Sequence, residues 1–502
     1  MAVSQRVLLI NPTITSHRHA RFPLAVMSLS AALEGKYAST IIDGNVDRHY
    51  IDKILKAVAE GNVAAVGVTV MGGPQLRSAI EVSKAIRKKL PSLPIVWGGA
   101  FPTVCPDATL NAAYVDYAVR AQGEQTFLEL LNALEQRSES LEEITGLSWR
   151  RRSEIVHNND RKFSGASLNH MLPYDKLENP RQYLTNTYLG RRTMGYQAAL
   201  GCRFRCTFCG VATMFRGKMA LPPAARLQQD LQYMQDRLGV DAIQFYDHNF
   251  FDREVDMVPL LEVLAKFQMP WWCFARSDAL VNLSEKSWAL VKKSRLRMAY
   301  IGAESPSDWL LHDIRKGTNK DQTLEAVEKC RSHGVIPELS FMLAPPQDPE
   351  GETEKTFEFI RVIKRLHPAT EVMIYIYTPL PRRHDNNPAS ARRAGELRDC
   401  NGELVVFPRS ADEWAEPQWV DYWCHQGAPW LSERLRRRIV DFTTVLGCRY
   451  PTVMDIRASA WGKSALKALA AWRYRFQRYD DPWELRVSRR IVRHWDPRVM
   501  SL

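Results

Sequence analysis

Residues 200–218 read LGCRFRCTFCGVATMFRGK. Cys202, Cys206 and Cys209 stand there in the spacing C-x3-C-x2-C, in a chain with nine cysteines among 502 residues. At that frequency, chance would supply roughly 0.003 such triplets in the chain, so the cluster calls for chemistry. A structural zinc site closes with four ligands, commonly two C-x2-C pairs or nearby histidines. Here no second cysteine pair exists, and the next histidine downstream is His248. A disulfide framework would leave one cysteine over. An iron–sulfur cluster takes one thiolate per iron, so three thiolates leave one iron open to a small molecule. An open-site [4Fe–4S] cluster is therefore favoured over zinc or no ligand.

The cysteines sit within a run of alternating strands and helices. MGYQAALG (194–201) leads into the loop, followed by strand patterns at AIQFYDHNFF (242–251), PWWCFARSD (270–278), RMAYIGAES (297–305), IPELSFMLAPP (336–346) and EVMIYIYTPLP (371–381). Amphipathic helical patterns separate them, as in a parallel α/β sheet. In such barrels chemistry gathers at the carboxyl ends of the strands. Tyr246, Asp247, His248, Arg276, Glu304 and Ser340 all fall there. Asp247 and His248 are the candidates for groups on the substrate side. Glu304 could instead cap the following helix, and Arg276 could pair with Asp278.

With Phe208 before the last cysteine, the motif C-x3-C-x-aromatic-C resembles the signature of the radical S-adenosylmethionine (radical SAM) enzymes. The resemblance implies a partial (β/α)6 barrel whose open iron chelates SAM. It also implies that Phe208 packs near the adenine and that Tyr246, Arg276, Glu304 and Ser340 lie on the SAM side. Tyr246-Asp247 stands where many relatives carry Gly-Gly-Glu, which is a departure from the pattern.

The first 140 residues also alternate. RVLLINP, STIIDGN, AAVGVTVMGG, PIVWGGAFPT and VDYAV read as five strands with helices between them, a doubly wound sheet. Its strand-end loops hold Met71-Gly72-Gly73, Gly98-Gly99-Ala100-Phe101-Pro102-Thr103 and Gln122-Gly123-Glu124. Glycine pairs let backbone come close to a flat ligand or a phosphate, or simply make tight turns. Ahead of a radical SAM motif, this order resembles the cobalamin-binding domain of cobalamin-dependent radical SAM proteins. Met71, Gly72, Gly73, Gly98, Gly99, Phe101, Pro102, Thr103, Gly123 and Glu124 are then the implied cobalamin contacts. The Asp-x-His-x-x-Gly pattern of cobalt-ligating methyltransferases is replaced by DGNVDRHY, which implies base-off cobalamin with no histidine beneath the cobalt. Methylthiotransferases share the layout but carry three further cysteines in the first domain, and here only Cys105 is present.

From about residue 400 the strand–helix rhythm stops and helical patterns follow. The net charge is +12, and half of it comes from the last 42 residues, which carry Trp461, Trp472, Trp483 and Trp495. Trp461 and Trp472 are 11 residues apart, which would place them on one face of a continuous helix. That face either packs on the barrel as a lid or meets an anionic membrane surface and a lipid-like substrate. Charge alone would allow nucleic acid, but no recognised module supports it. No apolar run is long enough to span a bilayer, and the apolar start reads as a first strand rather than a signal peptide. An oxygen-sensitive cluster fits a reducing cytoplasm.

The expected organisation is a Rossmann-like cobalamin-binding domain (1–140), a connecting segment (141–190), a partial (β/α)6 radical SAM barrel with its cluster (191–400) and a basic helical region (401–502). The resemblance implies an enzyme that uses a 5′-deoxyadenosyl radical and methylcobalamin to methylate an unactivated carbon of a small-molecule or lipid-like substrate, with a flavodoxin or ferredoxin as electron donor. The alternatives are an oxidative cyclase of the anaerobic magnesium-protoporphyrin ester type and a non-catalytic iron–sulfur sensor.

Overall fold

The computed structural model describes residues 6–137, 140–380, 397–456 and 458–492. Trp495 lies outside them. The first sheet contains β1 (Arg6–Asn11), β2 (Ala38–Asp43), β3 (Val63–Thr69), β4 (Ile95–Gly98), β5 (Tyr117–Val119), β6 (Leu147–Arg151) and β7 (Glu154–His157). Their spatial order is β2-β1-β3-β4-β5-β6-β7. The five expected strands are parallel, and β6 and β7 add an antiparallel hairpin at the edge. The sheet thus draws two strands from the stretch expected only to connect, because Leu147, Ser148 and Trp149 are buried where they pair with β5 and β7 covers β6 in turn.

Alternation along the central strands explains the double winding. Leu8, Ile10, Val66 and Val68 point into one apolar core, while Val7, Leu9, Ala65 and Val96 point into another on the opposite face. Successive side chains of a strand leave opposite faces, so strands that are apolar on both sides need helices on both sides.

The second sheet holds β8 (Thr193–Tyr196), β11 (Ala242–Phe245), β12 (Trp271–Ala275), β13 (Leu296–Glu304), β14 (Ile336–Leu343) and β15 (Glu371–Ile376), all parallel, in the order β15-β14-β13-β12-β11-β8. Between β8 and β11 a short antiparallel pair, β9 (Leu200–Gly201) and β10 (Met219–Ala220), closes the base of the cysteine loop. All six expected barrel strands are present.

The C-terminal region divides its packing. Ala411, Trp414, Tyr422 and Trp430 join the core of the first sheet. Helix Glu433–Arg449 lies on the barrel through Leu435, Ile439, Phe442, Val445 and Leu446, with Phe442 stacked on Phe357 at 3.7 Å between ring centroids. Trp461 and Trp472 do not share a helix. Ala460–Leu469 and Ala471–Arg475 are separate helices that meet at Ala470, and Arg473 and Tyr474 turn inward in the second. No described helix is long and apolar enough to cross a membrane.

Candidate active site

The cysteine loop is pinned at every turn. Cys202 N–H donates to Lys218 O at 3.0 Å and Thr207 N–H to Ile314 O at 2.9 Å. Arg203 pairs with Asp252 at 2.5 Å, and the Arg276 guanidinium lies 3.5 Å over the Phe204 ring. Asp247 holds the approach from β8: its carboxylate accepts from Ala198 N–H at 3.1 Å and from Ala199 N–H. Burial pushes the Asp247 carboxyl up to about 7 although those two N–H groups pull the other way. Asp247 therefore positions the loop, and among the described contacts it makes none toward a substrate space.

The three thiols lie close enough to affect one another. Burial raises Cys202 and pushes Cys209 up to about 11, and in both the neighbouring Cys206 adds to the rise. Val211 and Ala212 N–H groups oppose it at Cys209, and Arg276 opposes it at Cys202. Among the described residues no three His, Cys, Asp or Glu side chains converge on one point to hold a single ion. A [4Fe–4S] cluster asks for one thiolate per iron, and Cys202, Cys206 and Cys209 offer three.

Above the loop, Glu304 and Lys316 form a buried pair, with Nζ 2.7 Å from Oε1. Glu304 ends β13 with a φ of 62°, at a shift of register against β14. Non-glycine residues in the left-handed region cost of order 1–3 kcal/mol and gather at functional sites. Arg276 pairs with Asp278 at 2.9 Å and donates to Lys316 O at 2.7 Å. The helix-cap reading of Glu304 does not describe its bonding, while the Asp278 pairing of Arg276 is present. Buried polar atoms with no protein partner stand on these loops, Ser277 Oγ and Thr318 Oγ1, and both amide atoms of Asn249 are likewise unpartnered on the loop after β11. Orphaned buried polar groups are costly, and a polar cofactor would satisfy them. These residues fit SAM. Lys316 carries no sequence signal, because it sits in a short loop with no motif around it.

Tyr246 points into the barrel, its ring against Gly195 and under Arg21 at 4.9 Å. Ser340 is buried and bonded to the Tyr300 hydroxyl. His248 keeps open surface, yet burial by the surrounding protein pushes it down to about 4, so the ring is neutral. Phe208 is partly buried and packs into the core of the first sheet, bridging the two α/β units.

On the first sheet, Gly99 has a φ of 102° and a Cβ there would meet Val70 O at 2.9 Å. Only glycine allows this turn. A Cβ on Gly98 would find nothing nearer than 3.8 Å, leaving an open strand end. Thr103 ties two loops together, donating to Gly99 O at 2.6 Å and accepting from Ala121 N–H at 2.8 Å. Glu124 accepts from Ser28 at 2.7 Å, and Gly123 lies against Leu29 and Val119. Phe101 and Pro102 are buried, Phe101 among Trp97, Trp414 and Trp423. Met71 is exposed, while Gly72 and Gly73 are covered by Trp423 and Cys424 of the C-terminal region. Gly72 and Gly73, expected at cobalamin, are thus closed by protein side chains, and the open strand end at Gly98 is what fits a large flat cofactor. Helix Ala100–Val104 of this unit packs on helix Gly210–Phe215, which follows the cysteines, so the two loop systems face each other.

Residues 14–131 match the B12 binding domain and residues 196–360 the radical SAM superfamily. An uncharacterized methyltransferase of Pyrococcus horikoshii is 25% identical over 68% of this chain and 73% of its own length. The anaerobic magnesium-protoporphyrin IX monomethyl ester cyclase of Synechocystis is 23% identical over 59% of this chain, which spans 58% of that protein. The radical S-adenosylmethionine methyltransferase TsrM from Kitasatospora setae shares the fold over 98% of this chain and 99% of its own, with a TM-score of 0.67 at 17% identity. A B12 binding domain followed by a radical SAM domain, each with loops that fit its cofactor, places the chain among the cobalamin-dependent radical SAM enzymes.

Proposed function

We propose that the protein methylates an unactivated carbon of a small molecule, with Cys202, Cys206 and Cys209 holding a [4Fe–4S] cluster, Glu304, Lys316 and Arg276 holding SAM, and Met71 with the Gly98–Glu124 loops holding cobalamin. The observation that carries this reading is the packing of helix Ala100–Val104 on helix Gly210–Phe215, which turns the two cofactor loops toward one space. When bound, the cluster delivers the electron that cleaves SAM, and cobalamin carries the methyl group. The chain's own part is to bind, orient and exclude water. Arg276 fixes the cysteine loop through Phe204, and Asp247 fixes its approach. The Glu304–Lys316 pair sets a charged, pre-oriented rim, and the Trp423–His425 segment covers the site from the C-terminal side. Exclusion of water protects a radical from quenching.

The test is product accounting with labelled SAM on anaerobically purified protein. Methyl transfer consumes two SAM per turnover, giving S-adenosylhomocysteine together with 5′-deoxyadenosine. A cyclase would make no S-adenosylhomocysteine coupled to turnover. The reading extends to a cytoplasmic setting, a ferredoxin- or flavodoxin-like donor suited to the net charge of +12, and a membrane-surface contact through the basic, Trp-bearing C-terminal helices.

A further inference from the structure

The geometry points to the barrel interior as a substrate chamber that selects a flat, unsaturated ring system, met at its open side by His425. This rests on the methyl-transfer reading and names its substrate class.

Parallel barrels are normally filled by layers of branched aliphatic side chains. Here the inner face of β11, β12 and β13 carries a continuous aromatic wall. Tyr246 meets Trp272 at 6.3 Å, Trp272 meets Phe274 at 4.7 Å and Phe274 meets Tyr300 at 5.0 Å between centroids, all edge to face. Trp272 is locked at the bottom, its Nε1–H donating to Glu338 at 2.8 Å. The floor is closed by Leu189, Ala242 and Met298, with Val453 and Met454 from the C-terminal region. Above that floor Tyr246, Phe274, Tyr300 and Tyr375 all point inward and all retain accessible surface, so they line space rather than fill it.

The wall continues across the open side of the barrel. The Tyr300 hydroxyl donates to the Tyr375 hydroxyl at 3.0 Å, and the Tyr375 ring meets His425 at 6.1 Å. His425 is held from both ends: its carbonyl accepts from Ile376 N–H at 2.8 Å, and Nδ1 bonds Thr378 Oγ1. It has a left-handed φ of 57°. Burial pushes it down to about 4, so the ring is neutral. The ring also bonds the Ile376 backbone, so His425 is a fixed, neutral edge of the aromatic wall. Edge-to-face and stacked aromatic contacts favour a flat π system over a saturated ring of the same size, and two such contacts amount to about a tenfold preference.

The test uses 1-naphthol and trans-1-decalol, which share a carbon skeleton and a hydroxyl and differ in flatness and unsaturation. Binding is measured by equilibrium dialysis against the cofactor-loaded protein under anaerobic conditions, without turnover. The expected result is about tenfold tighter binding of 1-naphthol, lost in Phe274→Leu and Tyr300→Leu at unchanged iron content. Equal binding of the two probes by the wild-type protein would overturn the chamber, and that comparison needs no variant to fold. A preference that survives both substitutions would also overturn it. Because no methyl transfer is required, failure of the labelled-SAM experiment leaves this result readable. Conversely, S-adenosylhomocysteine formed on a fully saturated substrate would sink the chamber and leave the methyl-transfer reading intact.

Discussion

Lys316 Nζ lies 2.7 Å from Glu304 Oε1, and both side chains are only 8% exposed. A buried ion pair adds little net stability, but removing one partner leaves an uncompensated charge at a cost of about 3–5 kcal/mol. Lys316→Met is therefore expected to lower the unfolding free energy by about that amount, and Glu304→Gln/Lys316→Met by clearly less than Lys316→Met alone. Urea unfolding of anaerobic protein measures both. If the single and double variants are equally stable, the pair is not electrostatically coupled and Glu304 is not held ready for a ligand by Lys316.

The two glycines assigned to cobalamin make opposite predictions. A Cβ on Gly72 would fall 1.8 Å from the Trp423 ring, whereas one on Gly98 meets nothing nearer than 3.8 Å. Gly72→Ala should disturb the protein itself, forcing Trp423 away and lowering the melting temperature whether or not cobalamin is present. Gly98→Ala should leave the unfolding free energy of cobalamin-free protein within about 1 kcal/mol of wild type. If the corrin lies against this strand end, cobalt content after loading should fall at least several-fold. Wild-type cobalt content in Gly98→Ala would remove Gly98 from the cofactor site.

Glu338 predicts a pH dependence with a definite sign. Burial, with a contribution from the charge of Glu371, raises its carboxyl from an ordinary 4.5 to about 7, against the lowering effect of the Trp272 hydrogen bond. The folded protein thus holds a proton that the unfolded chain has lost, and stability falls as pH rises from about 4.5 to about 7. The full effect is about 3 kcal/mol. Glu338→Gln keeps an acceptor for Trp272 and should flatten this part of the profile. The neutral His248 and His425, both pushed down to about 4 by burial, act with the opposite sign, losing stability as pH falls from 6.5 toward 4. Unfolding free energies of wild type and Glu338→Gln at pH 5 and pH 7.5 separate the two. A wild-type and variant difference that does not change with pH would mean that Glu338 is ionised throughout.

The strands were readable because each is an apolar run between turn residues, and the cysteine motif because its spacing encodes its ligand geometry. Loop partners were not readable. Lys316 reaches Glu304 across 12 residues, and Trp423 reaches Gly72 across some 350, through a packing of the C-terminal region that no local pattern announces. Asp247 reads as a reactive group because it is acidic at a strand end, and only the fold reveals that its oxygens are taken up by Ala198 and Ala199. The same blindness hid the barrel interior. Trp272, Phe274 and Tyr300 look like ordinary β-strand residues until three strands bring them side by side.

The C-terminal helices make the last prediction. Trp461 is 79% exposed, Trp483 64% and Ile491 75%, on helices that also carry Lys467, Arg489 and Arg490. A Cβ on Gly462 would meet Val492, so the start of helix Ala460–Leu469 lies beside the end of helix Trp483–Val492, which brings Trp461 and Ile491 into one neighbourhood. Large exposed apolar groups among cations are what an interfacial anchor on an anionic bilayer presents, each basic residue adding about 1 kcal/mol near the surface. The protein should sediment with phosphatidylglycerol-containing vesicles at 0.1 M salt, and much less with phosphatidylcholine alone or at 0.5 M salt. Trp461→Ser/Trp483→Ser/Ile491→Ser should reduce that partitioning at least tenfold at unchanged iron content, because these side chains bury little on folding. Partitioning that depends on salt but not on these three residues would reduce the contact to charge alone. Absence of partitioning at any salt would leave the aromatic face to a partner other than a membrane.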